Sequence, residues 1–374
     1  MTPMRKILRD EVGKRGVIPF AQFMETALYH GEWGYYQRQA QAIGRQGDYY
    51  TSVSVGSVFG ELLAFQFLEW LRAFLGHGAQ LVEAGAHDGR MASDILGWMQ
   101  KNRPEIVPRV EYWLVEPSPR RRNWQQKRLD IFAGQVRWFD DFSALPTGRV
   151  NGVIFANELL DAMPVHRLGW DAEGQGWFEW GVTARGDQFI WERMNHLARE
   201  ISTVLKEAEL NVPGELGSVL PDGFTIEVSP KAGDWWREAA RALQGGRLVA
   251  IDYGLRAEEF LAPHRAQGTA RAYDRHQVSG DLLRSPGEQD LTAHVNFTHL
   301  QRIGEAAGLI TEVDTTQEQF LTGVARRAMS PATGFGEWTP ERMRQFQTLT
   351  HPEHLGRSFR VLVQSRQAKA DCNS

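Results

Sequence analysis

The chain has 374 residues, more than the roughly 150 of an average domain, so its length allows either two units or one enlarged α/β domain. Its 42 Lys and Arg residues nearly balance 46 Asp and Glu residues, and a hydrophobic content of 42% excludes disorder as the main state. The resulting net charge of −4 does not indicate a nucleic acid or an anionic membrane as the partner.

The cysteine content and the lengths of the apolar stretches indicate where in the cell the protein is located. The only cysteine, Cys372, excludes an intrachain disulfide and a cysteine-ligated metal cluster. The segment 1–9 is too polar for a secretory signal, and no stretch approaches the roughly 18 apolar residues of a membrane span. We therefore expect a cytoplasmic protein without a membrane span, and we predict no metal site.

The N-terminal region, residues 1–78, is predicted to be helical with an intervening loop. Apolar residues recur at helical spacing over residues 19–28 and again over residues 58–75. The loop between them covers residues 44–52.

Short apolar strands then alternate with helical runs, which is typical of a parallel α/β sheet. The predicted helices cover residues 91–99, 119–132 and 298–307. The predicted strands cover residues 80–84, 110–116, 136–139, 152–156, 247–253, 309–313 and 358–365. The sequence thus predicts a Rossmann-like, seven-stranded core formed by residues 79–169 and 247–366, followed by a tail at 367–374.

Residues 170–246 interrupt this alternation and are predicted to form an inserted α+β lid. Four tryptophans in its first part suggest antiparallel strands, and helical runs follow at residues 195–209 and 232–243. The tryptophans, which suit either a binding surface or a core, are Trp170, Trp177, Trp180 and Trp191.

Polar residues follow several of the predicted strands, where open parallel sheets bind their ligands. After the first strand, Gly85 and Gly89 in the turn 83–89 would let a ligand approach the backbone, although such turns also serve structure alone. Glu116 ends the second strand and could accept both hydroxyls of a ribose, or it could be a solvated acid. Asp140 and Asp141 follow the third strand and suit either an adenine amino group or a helix cap.

The fourth strand is followed by two acids, Glu158 and Asp161. If this segment is helical, their spacing of three residues puts both carboxylates on one face. Such a pair favours binding a cation or orienting a basic group, and a solvated acidic turn is the alternative. No nucleophile-elbow pattern GxSxG occurs, so a hydrolase is not indicated.

Several motifs together resemble the MidA-like family of class I S-adenosylmethionine-dependent methyltransferases. That family includes the mitochondrial complex I assembly factor that methylates a protein arginine. The matching motifs are Trp33-Gly34-Tyr35-Tyr36, Gly47-Asp48-Tyr49-Tyr50-Thr51-Ser52, Phe59-Gly60-Glu61-Leu62, the turn 83–89, Leu114-Val115-Glu116, residues 157–166, Asp252-Tyr253-Gly254 and residues 286–297. Two positions depart from the family: His87 replaces the middle glycine of the turn, and Ser54 replaces an acid.

The resemblance implies an arginine methyltransferase that uses S-adenosylmethionine. Glu158 and Asp161 would be the catalytic acids that orient the arginine of a protein substrate, in the large peripheral-arm subunit of respiratory complex I. The residues implied in cofactor binding are Thr51, Ser52, Glu83, Gly85, Gly89, Glu116, Asp141 and Asn157. Glu116 would hold the ribose and Asp141 the adenine, with Asn157 nearest the reacting end.

Two other functions are compatible with the sequence. A non-catalytic assembly chaperone that binds S-adenosylmethionine fits the departures at His87 and Ser54. A nicotinamide-dependent oxidoreductase shares the sheet and the ribose carboxylate, but it would need a fuller GxGxxG turn.

Overall fold

The chain forms two compact units, each assembled from three separate stretches of sequence. The first unit comprises Met1–Tyr49, Leu160–Trp235 and Gly254–Ile303, and the second comprises Tyr50–Leu159, Trp236–Tyr253 and Gly304–Ser374. The computed structural model describes residues 2–37, 51–76, 78–146, 150–212, 214–274 and 277–367. The matched motif at 47–50 and the start of the predicted loop 44–52 lie outside the described residues.

The secondary structure elements are numbered in chain order. The strands are β1 (Ile18–Pro19), β2 (Ala79–Ala84), β3 (Val110–Val115), β4 (Val136–Phe139), β5 (Val150–Asn157), β6 (His166–Asp171), β7 (Gly176–Arg185), β8 (Gln188–Arg193), β9 (Thr225–Val228), β10 (Leu243–Leu255), β11 (Arg271–Asp274), β12 (Gln277–Ser279), β13 (Asp290–Thr292), β14 (Val295–Asn296), β15 (Ile310–Thr316) and β16 (Phe359–Arg366). The helices are α1 (Pro3–Arg15), α2 (Phe20–Tyr29), α3 (Ser52–Val55), α4 (Val58–Leu71), α5 (Arg90–Asn102), α6 (Pro119–Arg128), α7 (Arg199–Glu207), α8 (Gly214–Gly217), α9 (Pro230–Ala242), α10 (Ala257–Phe260), α11 (Phe297–Ala306), α12 (Gln317–Ala328) and α13 (Pro340–Thr350).

The second unit contains the seven predicted strands, in the order β15-β16-β10-β5-β2-β3-β4. An eighth strand, β14, pairs with the last two residues of β10, Gly254 and Leu255. The five strands from β10 to β4 run parallel, whereas β16 is antiparallel to both of its neighbours. Strand β2 is buried along nearly its whole length, which agrees with its apolar residues Leu81 and Val82, and Glu83 is buried beside them. All seven strands predicted from the sequence are confirmed, and the mixed α/β fold agrees with the predicted class.

Helices pack against this sheet through one large apolar cluster. Helix α4 is buried on nearly all sides, and in the cluster it joins α5, the sheet and the C-terminal helices α12 and α13. The ring of Phe67 in α4 contacts the ring of Phe155 in β5 in a tilted arrangement, with 4.9 Å between the ring centroids. This packing fixes the ends of β2 and β5, where the predicted site residues lie.

The first unit is largely antiparallel. Its main sheet has the order β1-β7-β6-β9, with β8 also paired to β7, so the predicted antiparallel strands are confirmed. Trp170 is 4% exposed and meets Trp177 edge-on at 5.1 Å, which favours the core interpretation for Trp170. Helix α1 was not predicted, although Met4, Leu8 and Val12 line its buried face.

Across the described residues, no helix combines the length and the apolar character needed to cross a membrane. The functional division into a core (79–169 and 247–366), a lid (170–246), an N-terminal region and a tail stays a prediction, because the two compact units group the chain by contacts alone.

Candidate functional site

Most of the predicted site residues lie at one edge of the seven-stranded sheet. Strands β2, β3, β4 and β5 are parallel, so their carboxyl ends meet at the same edge. Glu83 is the penultimate residue of β2, and Asn157 is the last residue of β5. Glu116 follows β3, and Asp141 follows β4. The second unit therefore gathers the residues predicted for cofactor binding along this edge.

The turn after β2 contains three residues with positive φ. Gly85 has φ +74°, and a Cβ added there would lie 2.8 Å from Cδ1 of Leu159. Gly89 begins α5 in the left-handed conformation with φ +82°. His87, which replaces a glycine of the resembled family, has φ +46°. The turn therefore survives this replacement, as expected for a residue type that tolerates positive φ better than most.

Glu83 is a buried carboxyl group with one oxygen available to a ligand. Its side chain is 1% exposed, and the hydroxyl of Tyr112 donates a hydrogen bond to Oε2. Oε1 is buried and finds no hydrogen-bond partner in the described part of the chain. Burial raises the pKa of Glu83 to about 8, against the opposing effect of the Tyr112 hydrogen bond. A cationic or hydrogen-bond-donating ligand group would satisfy this site.

Glu116 is held rigidly just beyond β3. The backbone N–H of Ser118 donates to Oε1 at 3.0 Å, and Nε2 of Gln125 lies 3.3 Å from Oε2. Gln125 also donates to the carbonyl of His87 at 3.0 Å, so one side chain ties the carboxylate to the glycine turn. Glu116 is 2% exposed, which argues against the alternative of a solvated acid.

Asp141 performs the helix-cap role that the sequence left as an alternative. Its Oδ1 accepts hydrogen bonds from the backbone N–H groups of Ser143 at 2.8 Å and Ala144 at 3.1 Å. The hydrogen bond from the Ser143 hydroxyl, together with these two backbone bonds, lowers the pKa of Asp141. All three hydrogen bonds end on Oδ1 of Asp141. The predicted contact between Asp141 and an adenine stays a prediction.

Glu158 leaves the end of β5 in an unusual conformation. Its φ is +50°, an uncommon value for a residue with a Cβ, and strained backbone of this kind concentrates at functional sites. Oε1 accepts hydrogen bonds from the Ser52 N–H at 3.0 Å and from Nδ2 of Asn157 at 3.1 Å. Oε2 of Glu158 and Oδ1 of Asn157 are buried and have no partner among the residues described. Burial, more than the nearby Asp252, raises the pKa of Glu158 to about 8.

Thr51 and Ser52 approach this edge from the N-terminal side. Thr51 caps α3: its side chain accepts from the Ser54 N–H at 3.0 Å, while the Ser54 hydroxyl accepts from the Thr51 N–H at 3.0 Å. This reciprocal pair is a capping box, whose third position usually carries Glu or Gln. Ser54, where the resembled family has an acid, therefore supplies the bond that an acid commonly makes at that position.

Asp161 belongs to the first unit, and the expected helical pairing with Glu158 does not occur. Residues 158–163 form bends and a turn rather than a helix, so the two carboxylates do not share a helix face. The positive φ of Glu158 ends the strand in a conformation that a right-handed helix cannot continue. Asp161 is 5% exposed, and its carbonyl accepts the Ala293 N–H at 2.9 Å.

Two residues of the site received no role from the sequence. Tyr112 binds Glu83, and Asp252 accepts the backbone N–H of Leu159 at 3.1 Å, which fixes the chain directly after Glu158. Asp252 is 1% exposed within β10. An acid inside an otherwise apolar strand was the available signal, because a buried carboxylate needs partners.

The strand order, the antiparallel β16, the glycine turn after β2 and the carboxylate after β3 define a Rossmann-like class I methyltransferase. Residues 62–315 match the family described as "Putative S-adenosyl-L-methionine-dependent methyltransferase". The chain belongs to this family, and the predicted resemblance is confirmed.

Named relatives and a solved structure agree with this assignment. A Drosophila melanogaster protein, "Protein arginine methyltransferase NDUFAF7 homolog, mitochondrial", is 26% identical over 386 aligned positions, covering 96% of this chain and 84% of the relative. The Homo sapiens protein of similar name is 28% identical over 329 positions, covering 82% and 69%. A Burkholderia thailandensis structure, a "COG1565 superfamily member and likely methyl transferase" bound to S-adenosyl-homocysteine, superposes with a TM-score of 0.82 at 29% identity, covering 98% and 92%.

S-adenosylmethionine is the cofactor of this family, and the residues at the sheet edge fit it. The ligand carries a sulfonium, an ammonium and ribose hydroxyls, which are cationic or hydrogen-bond-donating groups. The buried acceptors Glu83 Oε1 and Asn157 Oδ1 have no donor from the described chain. The assignment also favours a methyltransferase over a nicotinamide-dependent oxidoreductase.

Proposed function

We propose that the protein transfers a methyl group from S-adenosylmethionine to an arginine side chain of a protein substrate. The observation that carries this proposal is the carboxyl group of Glu158, which is fixed directly after β5 and whose buried Oε2 has no hydrogen-bond partner among the described residues. The relatives named protein arginine methyltransferases support the same acceptor. From the resemblance of the sequence, we further propose the large peripheral-arm subunit of respiratory complex I as the substrate. From the single cysteine and the polar segment 1–9, we propose a cytoplasmic location.

An arginine needs help to act as a nucleophile. Its guanidinium stays protonated up to about pH 12 and its lone pair is delocalised. Bound S-adenosylmethionine supplies an electrophilic methyl group. Glu158 would accept N–H bonds from the guanidinium, draw the positive charge toward its carboxylate and orient one nitrogen toward the methyl group.

Asp161 is retained as the second proposed catalytic acid. The residues proposed to bind the cofactor are Thr51, Ser52, Glu83, Gly85, Gly89, Glu116, Asp141 and Asn157. Within this set, Glu116 would accept the ribose hydroxyls, because its two oxygens are held by Ser118 and Gln125 with lone pairs to spare.

The first experiment separates methyl transfer from cofactor binding. We expect Glu158→Gln to lower methyl transfer by at least about 100-fold, the lower end of the effect of removing a group that acts on a proton in the reaction. Affinity for S-adenosylmethionine, measured by calorimetry, should change by less than about threefold, which is under 1 kcal/mol, because Glu158 is proposed to contact the acceptor arginine. The matched control is Glu173→Gln, at an exposed carboxylate in the first unit.

Methyl acceptors are found by incubating the protein with isotope-labelled S-adenosylmethionine and proteins from cells that lack it, followed by mass spectrometry for methylarginine. Activity of Glu158→Gln at the level of the control would remove the role of Glu158. Cofactor binding by the wild-type protein without any methylated product would favour the assembly chaperone instead.

The pH dependence supplies a second test. Glu158 must be ionised to orient a guanidinium, and burial raises its pKa to about 8 in the free protein. The rate at low acceptor concentration should therefore rise with pH between 6.5 and about 8 and level off above that value. A rate that does not change over this range would contradict the assignment of Glu158.

A further inference from the structure

The hydrogen bond from Ser52 to Glu158 depends on the placement of residues 51–58, here called the 51–58 segment. Ser52 is fully buried, and its backbone N–H is one of two donors to Oε1 of Glu158. The capping box of Thr51 and Ser54 shapes the segment internally but does not anchor it to other elements. Anchoring comes from two glutamines on the C-terminal helices of the second unit.

Gln317, the first residue of α12, anchors the beginning of the segment. The hydroxyl of Ser52 donates to Oε1 of Gln317 at 3.2 Å, and Nε2 of Gln317 donates to the carbonyl of Leu349 at 3.0 Å. Gln317 is fully buried. Reversing its amide would bring an oxygen against the Leu349 carbonyl, so only one orientation satisfies both partners.

Gln345, on α13, anchors the end of the segment. Its Oε1 accepts the backbone N–H of Val58 at 3.2 Å. A Cβ on Gly56, whose φ is +154°, would lie 2.2 Å from Cδ of Gln345, so the amide lies directly against the Gly56 backbone. The two glutamines therefore hold both ends of the segment that carries Ser52.

We propose that Gln317 and Gln345 are positioning residues for methyl transfer, which hold the Ser52 N–H against the carboxylate of Glu158. They touch neither the reacting atoms nor Glu158, and they act through the 51–58 segment. The inference rests on the proposed role of Glu158. It assigns a function in the reaction to the C-terminal helices, which otherwise pack only against the core.

The test replaces each glutamine by methionine, which has a similar length and no amide. The variants are Gln317→Met and Gln345→Met, and the matched controls are Gln319→Met and Gln347→Met, at exposed positions of the same two helices. Thermal unfolding establishes that each variant folds. If one anchor variant does not fold, the other carries the test, because the two glutamines act on the same segment from separate helices.

The decisive readout is the titration of the Glu158 carboxyl group by infrared spectroscopy, with Glu158→Gln identifying its band. The Ser52 N–H lowers the pKa of Glu158, while burial and Asp252 raise it and Asn157 opposes them. Displacing Ser52 should move the midpoint upward by about one pH unit, a roughly tenfold change in the protonation constant. The rise of methyl transfer with pH should move upward by the same amount.

The outcomes distinguish this inference from the proposed function. A midpoint in the anchor variants equal to that of the controls would overturn the positioning role, even if Glu158→Gln is inactive. An upward shift in the anchor variants together with full activity of Glu158→Gln would confirm the link from the glutamines to the carboxylate and remove Glu158 from the reaction, and with it the positioning role in methyl transfer.

Discussion

Replacing Glu83 by glutamine should change how the stability of the protein depends on pH. Glu83 is 1% exposed, and burial raises its pKa from 4.5 to about 8. Between these two pH values the folded protein holds a proton that the unfolded chain has lost. The contribution of Glu83 to stability is therefore complete below pH 4.5 and is lost as the pH rises toward 8.

The size of this effect follows from the two pKa values. One proton held by the folded state alone gives a slope of about −1.4 kcal/mol per pH unit in the free energy of unfolding. From pH 4.5 to about 8 the loss amounts to several kcal/mol, at most about 5. Glutamine cannot ionise, so this part of the slope is absent from Glu83→Gln.

The assay is urea unfolding of wild-type and Glu83→Gln protein at pH 5, 6, 7 and 8, followed by tryptophan fluorescence. The new amide would bury an N–H₂ group where Oε1 has no partner in the described chain, so a constant offset of about 1–3 kcal/mol against the variant is expected. The difference in slope is the test, and the contribution of Glu158 cancels in it. Parallel plots of unfolding free energy against pH would refute the assignment of a buried, protonated Glu83.

Two further substitutions test the backbone of the site. In thermal unfolding, Gly85→Ala should destabilise the protein by about 1–3 kcal/mol, because Gly85 has φ +74° and a Cβ there would lie 2.8 Å from Leu159. The control is Gly97→Ala within α5, where a Cβ would meet no atom within 4 Å. This control should be neutral or stabilising by up to about 1 kcal/mol. Ser54→Ala should cost about 1 kcal/mol through the lost bond to the Thr51 N–H, and unchanged thermal unfolding of this variant would contradict the capping role.

The seven-stranded sheet could be predicted because its signal is local. Strands β2 and β10 each contain a short apolar stretch, Leu81–Val82 and 248–251, that is followed by an acid, and this pattern is recognisable within a few residues. The same local signal was present for α1 and for α12, where Phe320, Leu321 and Val324 form one buried stripe, yet neither helix was predicted.

The details of the site depend on long-range contacts that no window of sequence contains. The prediction that cofactor residues follow β2 to β5 was possible because parallel strands end at one edge. The bond between Ser52 and Glu158 joins distant parts of the chain, and the positive φ of Glu158 is imposed by its surroundings. For that reason the sequence suggested a helical pairing of Glu158 with Asp161 that the folded chain does not make. The roles of the individual site residues stay predictions.

The placement of β16 bears on how the protein is made. Every other strand of its sheet precedes it in the chain, yet it occupies an interior position between β15 and β10. During synthesis on the ribosome, the edges of β10 and β15 that pair with β16 therefore stay unpaired until residues 359–366 have emerged. Open strand edges pair readily with other chains, so a nascent or prematurely terminated chain would be prone to aggregate and would depend on chaperones until its last strand closes the sheet.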